Sequence, residues 1–178
     1  MAKLPLKKTD YMLADAAPRY IVIHHTVEIC PGVPIDNATF QTGKFQHKSY
    51  VFTKPDLKGY HITFEQITDD FYPILSQPLF TKCKWPDLDV TYENSVHVGI
   101  IGDQDFEIPS DRLYNVLAFR VLVPICRGFK IPIENIVLHR DISTKKDLTC
   151  PGMMFERERL IKSFRTHWRK GSTLVRKF

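Results

Sequence analysis

A chain of 178 residues with 43% hydrophobic and 25% charged side chains has room for one compact domain with a short appendage, and makes two full domains improbable. Its 12 Phe, 7 Tyr and 2 Trp exclude a disordered chain, and 8 Gly without a short repeat exclude a collagen-like one. The formal net charge of +5 and a pI near 9.0 favour a polyanionic partner such as nucleic acid, anionic lipid or cell-wall polymer, although much of the excess sits in Arg165, Arg169, Lys170, Arg176 and Lys177 near the end.

Residues 1–19 read as an irregular lead-in. Tyr20-Ile21-Val22-Ile23-His24-His25 is a short β-rich run of the kind that forms a buried strand. Pro31 and Pro34 mark a loop, and Ile35 to Phe45 is weakly helical with Asp36 as a cap. Pro55-Asp56 and Gly59 punctuate a turn before a second strand, Tyr60 to Phe64, with a hairpin partner at Asp69 to Ile74. Pro78 and Pro86 make the next stretch a loop, and Val96 to Gly102 reads as a central strand. Ser110 is placed to cap a helix whose apolar face is Leu113, Val116, Leu117 and Val121, with Pro124 expected to kink or end it. Ile136-Val137-Leu138 forms one more strand, and Phe155 to Trp168 a last amphipathic helix with Leu160, Ile161, Phe164 and Trp168 inward. Strands interleaved with helices predict a single α/β domain over residues 20–170, with a central mixed sheet flanked by helices, followed by a basic tail at 171–178.

Four cysteines, Cys30, Cys83, Cys126 and Cys150, are too few and too irregularly spaced for a disulfide framework. The basic start at Lys3, Lys7 and Lys8 is not followed by an apolar run of signal-peptide length, and no stretch of about 18 apolar residues occurs. The expectation is therefore a cytoplasmic protein without a transmembrane segment. Chemistry-bearing residues gather at strand ends: His24-His25 closes the first strand, His139 the last, and Cys150 follows within HRDISTKKDLTCPG. Two imidazoles and a thiolate make a three-ligand zinc set with the fourth position left to water, the pattern of catalytic sites. Adjacent residues of a strand point to opposite faces, so at most one of His24 and His25 belongs to such a set, and alternation alone does not choose between them. The plain alternative is hydrogen-bonded histidines and a small buried cysteine.

Taken in order, YIVIHHT, GYHITFEQITDDFYPI, NSVHVGIIGD, the helix, and IVLHRDISTKKDLTCPGMMF resemble the zinc-dependent N-acetylmuramoyl-L-alanine amidases, the family of the small phage lysozymes and the animal peptidoglycan recognition proteins. The resemblance covers Tyr20 to Trp168, and its most specific part is the His-Arg-Asp strand end with the following Thr-Cys-Pro-Gly. It implies zinc held by His24, His139 and Cys150, and a catalytic tyrosine at Gly59-Tyr60-His61. Tyr50 in KSYVF is a competing match without the preceding glycine. Many relatives carry Lys or Thr two residues before the last ligand, where this chain has Leu148. His139 and Cys150 lie 11 positions apart, a longer loop than expected, so Lys146 is the favoured substitute, with Lys145 and Thr149 behind it. Ile101 stands before Gly102 where the cytosolic recycling amidases have glutamate, which favours the phage-lysozyme and recognition-protein type.

The resemblance thus implies a hydrolase that cuts the bond between N-acetylmuramic acid and L-alanine of peptidoglycan. The implied setting is a monomeric phage endolysin made in the host cytoplasm and released through a permeabilised membrane, with no nucleic-acid partner. A peptidoglycan-binding module that does not cut is the alternative, and a basic regulatory protein acting on nucleic acid or a polymerase is a third reading supported by charge alone. His47, His61 and His97 either line the groove or pack beneath it. Asp141 either orients a ligand or caps its loop, Trp85 either meets a sugar or packs under its own loop, and Cys126 is expected to be buried.

Overall fold

The computed structural model describes residues 17–26, 59–67, 70–82 and 85–175. The readings made for Ile35 to Phe45, Tyr50, His47, Cys30 and Cys83, and most of the lead-in, lie outside them. Five strands form one mixed sheet in the order β3-β2-β4-β1-β5: β1 (Tyr20–His25), β2 (Ile62–Ile67), β3 (Asp70–Leu75), β4 (Ser95–Ile100) and β5 (Ile136–Leu138). β1 runs parallel to both β4 and β5, β2 runs parallel to β4, and only the β2–β3 hairpin is antiparallel. The second strand begins at Ile62 rather than Tyr60, because the His61 carbonyl turns to accept the N–H groups of Ser76 and Gln77 beyond the hairpin. Pro73 is tolerated in β3 because that strand is an edge and needs to bond on one side only.

Ser110 caps α1 (Asp111–Leu117) as its position implies, its hydroxyl accepting from the Leu113 N–H at 3.1 Å. Pro124 does not end the helix. The chain passes through a π-helical turn, Ala118–Leu122, and continues as α2 (Val123–Phe129), so the proline falls at the start of a new α segment, where its missing N–H does least harm. A single helical turn, α3 (His139–Ile142), follows β5 directly, and α4 (Arg157–Val175) runs past the end expected at Trp168. Leu160, Ile161 and Phe164 of α4 are buried, but Trp168 is 38% exposed, stacked on Phe164 with the Arg127 guanidinium over its ring. None of the described helices is long and apolar enough to cross a membrane.

The core lies between one face of the sheet and the helices. Ile21 and Ile23 of β1, Ile62 and Phe64 of β2, and Val96, Val98 and Ile100 of β4 pack there against Leu113, Tyr114, Leu117, Leu122, Leu160 and Phe164. This face is apolar at every second residue, and the intervening positions point to the other side of the sheet.

Candidate metal centre

That sorting separates the paired histidines. Ile21 and Ile23 mark the helix-covered face of β1, so Val22 and His24 stand on the opposite one. The parallel register puts Val22 beside His97 and His24 beside Gly99, and Thr63 of β2 lies across from Gly99 on the far side of β4. The second face is therefore polar, with His24, His97 and Thr63 all fully buried on it. His25 leaves β1 on the core side, and its Nδ1 accepts the Gln104 N–H at 3.2 Å.

His24, His139 and Cys150 converge, each offering one ligand atom, with all three atoms within 4.8 Å of one another. His24 Nδ1 faces Cys150 Sγ at 3.8 Å, and the His25 N–H donates to the same sulfur at 3.4 Å. His139 is the first residue of α3 rather than the last of β5. Arg140 then ties the cysteine loop to it. Its backbone N–H donates to the Cys150 carbonyl at 2.7 Å, and its guanidinium donates to the carbonyls of Thr149, Gly152 and Phe155. Cys150-Pro151 is a cis peptide, and Gly152 has φ 109°, where a Cβ would overlap the Gln104 backbone, so no other residue suits the turn.

Burial lowers the pKa of His24 well below the ordinary imidazole value, and the neighbouring His97, His139 and His25 add to the effect. Burial likewise lowers His139, outweighing the opposing field of Asp87. Both rings are thus neutral, with a lone pair available for a cation. Burial pushes the Cys150 thiol up to about 12, so it becomes a thiolate only beside a positive charge. Two neutral imidazoles and a thiol that ionises against a cation are the donor set that suits zinc.

Both histidines are braced from behind. His24 Nε2 lies 2.9 Å from His97 Nδ1, and the Trp85 ring stacks on the His24 ring at 4.3 Å and 19°. The His97 backbone N–H donates to His61 Nδ1 at 2.9 Å, and His61 Nε2 donates to the Thr81 carbonyl at 2.8 Å. His139 Nε2 sits 2.9 Å from Oδ2 of Asp87, a carboxylate only 5% exposed that also accepts the Ser143 hydroxyl at 2.6 Å. Burial works to raise the Asp87 pKa, but the Ser143 bond, the facing His139 and the nearby Lys145 hold it below the ordinary carboxylate value.

Tyr60 is buried, its ring edge-on to His24 at 5.4 Å and its hydroxyl donating to the His25 carbonyl over a long 3.4 Å. It lies flat over Gly99, where a Cβ would stand 2.8 Å from its ring. Lys146 is exposed, and the loop cation whose field reaches Asp87 and His139 is Lys145. The Thr149 hydroxyl donates to Asp105 at 2.9 Å. Asp141 is exposed and faces Arg140 at 3.9 Å, and Cys126 is buried in the core. Asp87 and the pairing of His97 with His24 carry no motif in the sequence. Register reveals the second, and Pro86 beside Asp87 signals only a loop.

No sequence profile of a known family matches the chain, and no curated protein matches it in sequence. Solved structures do match. The Ph2119 endolysin of the Thermus scotoductus MAT2119 bacteriophage is 20% identical, with a TM-score of 0.55 over 89% of this chain and 92% of that one. The N-acetylmuramoyl-L-alanine amidase LysC from Clostridium intestinale is 17% identical, with a TM-score of 0.56 over 88% and 94%. Drosophila PGRP-LB is 18% identical, with a TM-score of 0.51 over 89% and 86%. The chain has the fold of these endolysins, amidases and recognition proteins, a mixed five-stranded sheet in one domain with helices packed on it.

Proposed function

We propose that this protein is a zinc-dependent peptidoglycan amidase of the endolysin type, hydrolysing the amide between N-acetylmuramic acid and the L-alanine of the peptide stem. The observation that carries the reading is the convergence of His24, His139 and Cys150, three buried donors from three separate segments, in a fold shared with amidases. Zinc bound there supplies an acidified water and a polarised amide carbonyl. The protein's own part is to hold both imidazoles neutral, to keep the thiol beside them, and to present proton donors to the oxygen that gains charge.

We assign the first donor role to Tyr60, whose ring stands edge-on to His24 and whose hydroxyl makes a long bond to the His25 carbonyl. The second falls to a lysine of the loop before Leu148. Lys146 is the residue expected from sequence, and Lys145 is the one whose charge reaches His139. The positive net charge favours residence at an anionic wall, reached after release from a host cytoplasm.

Elemental analysis of the purified protein should find one zinc per chain, lost in His139→Ala and Cys150→Ala and kept in His25→Ala. The zinc protein should release L-alanine amino termini from purified cell wall. Full zinc occupancy after either ligand change would overturn the assignment, and zinc uptake without cleavage would leave a module that only binds peptidoglycan.

A further inference from the structure

Asp87 is buried, charged and used by none of the steps above. Its surroundings are built rather than incidental. Leu88 forms an isolated β-bridge with Ser143, the Asp87 carbonyl accepts both the N–H and the hydroxyl of Thr144 at 2.8 and 3.1 Å, and Oδ2 accepts the Ser143 hydroxyl. Main chain and side chain are thus both anchored to the segment that directly follows His139. Oδ2 is the polar atom that approaches His139 Nε2, at 2.9 Å, and that nitrogen has no other partner, though the ring falls short of full hydrogen-bond alignment. Asp87 itself stands outside the set of mutually close ligand atoms.

We propose that Asp87 is a positioning residue: it draws the proton of His139 onto Nε2 and turns the ring so that Nδ1 is the nitrogen offered to the metal. The proposal rests on the metal reading above. An imidazole has one donor and one acceptor nitrogen when neutral, and an anionic acceptor at one of them decides which is which. His24 shows the arrangement proposed for His139, with Nε2 against His97 and Nδ1 toward Cys150. A carboxylate behind a histidine ligand fixes the ring's orientation and strengthens it as a donor.

The test compares Asp87→Ala, Asp87→Asn and Ser143→Ala in the full chain. Zinc affinity is measured by competition with a chromophoric chelator, and the His139 ring is observed by nitrogen NMR in chelator-treated protein. Asp87→Ala should weaken zinc binding by roughly 10- to 100-fold. Asp87→Asn, which keeps a carbonyl acceptor, should recover most of that loss. Ser143→Ala removes the other partner of Oδ2 and should bind zinc like the wild type, which separates positioning of His139 from mere sewing of the two loops. The wild-type ring should carry its proton on Nε2.

A proton on Nδ1, or unchanged zinc affinity in Asp87→Ala, would overturn the proposal. Should Asp87→Ala not fold, the wild-type tautomer and the contrast between Asp87→Asn and Ser143→Ala decide it. Should the wild type take up no zinc while its His139 still carries the proton on Nε2, the metal reading fails and the hold of Asp87 on the ring stands.

Discussion

Acid should destabilise this fold through His61, and the size of the effect follows from its burial. His61 is fully buried, donates from Nε2 to the Thr81 carbonyl and accepts at Nδ1 from the His97 N–H. A second ring proton would have to sit on Nδ1, pointing at a donor. Burial lowers the His61 pKa from 6.5 to about 4, against a smaller raising effect of the Thr81 bond. Between those two values the unfolded chain takes up a proton that the folded chain refuses. The stabilisation is therefore complete above 6.5, falls as the pH drops, and is exhausted below about 4, a loss of about 3 kcal/mol. Urea unfolding of chelator-treated protein, followed from about pH 7.5 down to about pH 4, measures it. His61→Gln keeps a donor for Thr81 but cannot titrate. It should be weaker near neutrality by about 1–3 kcal/mol, because the His97 N–H loses its acceptor, and should show an acid limb flatter by about 3 kcal/mol. His24, which leans the same way without a contribution from His61, is common to both proteins and cancels in the difference. Parallel acid limbs in the two proteins would refute the reasoning.

Tyr60→Phe should keep its zinc and lose turnover by about 100-fold or more, the scale of a lost oxyanion donor, in an assay of amino termini released from cell wall. Of the two loop lysines, the one that serves as donor should lower kcat more than substrate binding when changed to Ala, while its neighbour should be nearly silent; steady-state kinetics of both single variants identify it. Gly99→Ala would place a methyl group 2.8 Å from the Tyr60 ring and should destabilise the fold by about 1–3 kcal/mol in urea unfolding. In a Tyr60→Ala background the same change should be nearly free, and a penalty that persists there would place the strain elsewhere.

The apolar alternation of Ile21 and Ile23, the cap at Ser110 and the Pro-Gly turn after Cys150 each declare themselves within a few residues, and the strands, helices and ligand segments could be read from them. Alternation stated that His24 and His25 part company but not which faces inward; only the helices covering Ile21 and Ile23 label the faces. Pro124 is a breaker by local rule, and a π-helical turn absorbs it because Val121 and Leu122 before it and Ile125 and Cys126 after it all have core to bury against. Asp87 becomes informative only when a bridge between residues 88 and 143 brings it to His139, a contact of the folded chain that leaves no periodicity behind.

The Arg140 clamp separates two jobs that one loop would otherwise share. Because Arg140 bonds directly to the carbonyls of Thr149, Cys150, Gly152 and Phe155, the distance between His139 and Cys150 is set by that clamp and not by the intervening chain. Ser143 and Thr144 are fastened to Asp87, and Thr149 to Asp105. Lys145 to Leu148, with Asp147 in the left-handed region at φ 64°, is left as a short arch standing on fixed footings. Such an arch can gain or lose residues while its footings stay put. The span between the histidine and the cysteine is thus a place where length can drift, and where an engineer could graft new residues while leaving the spacing of His139 and Cys150 undisturbed.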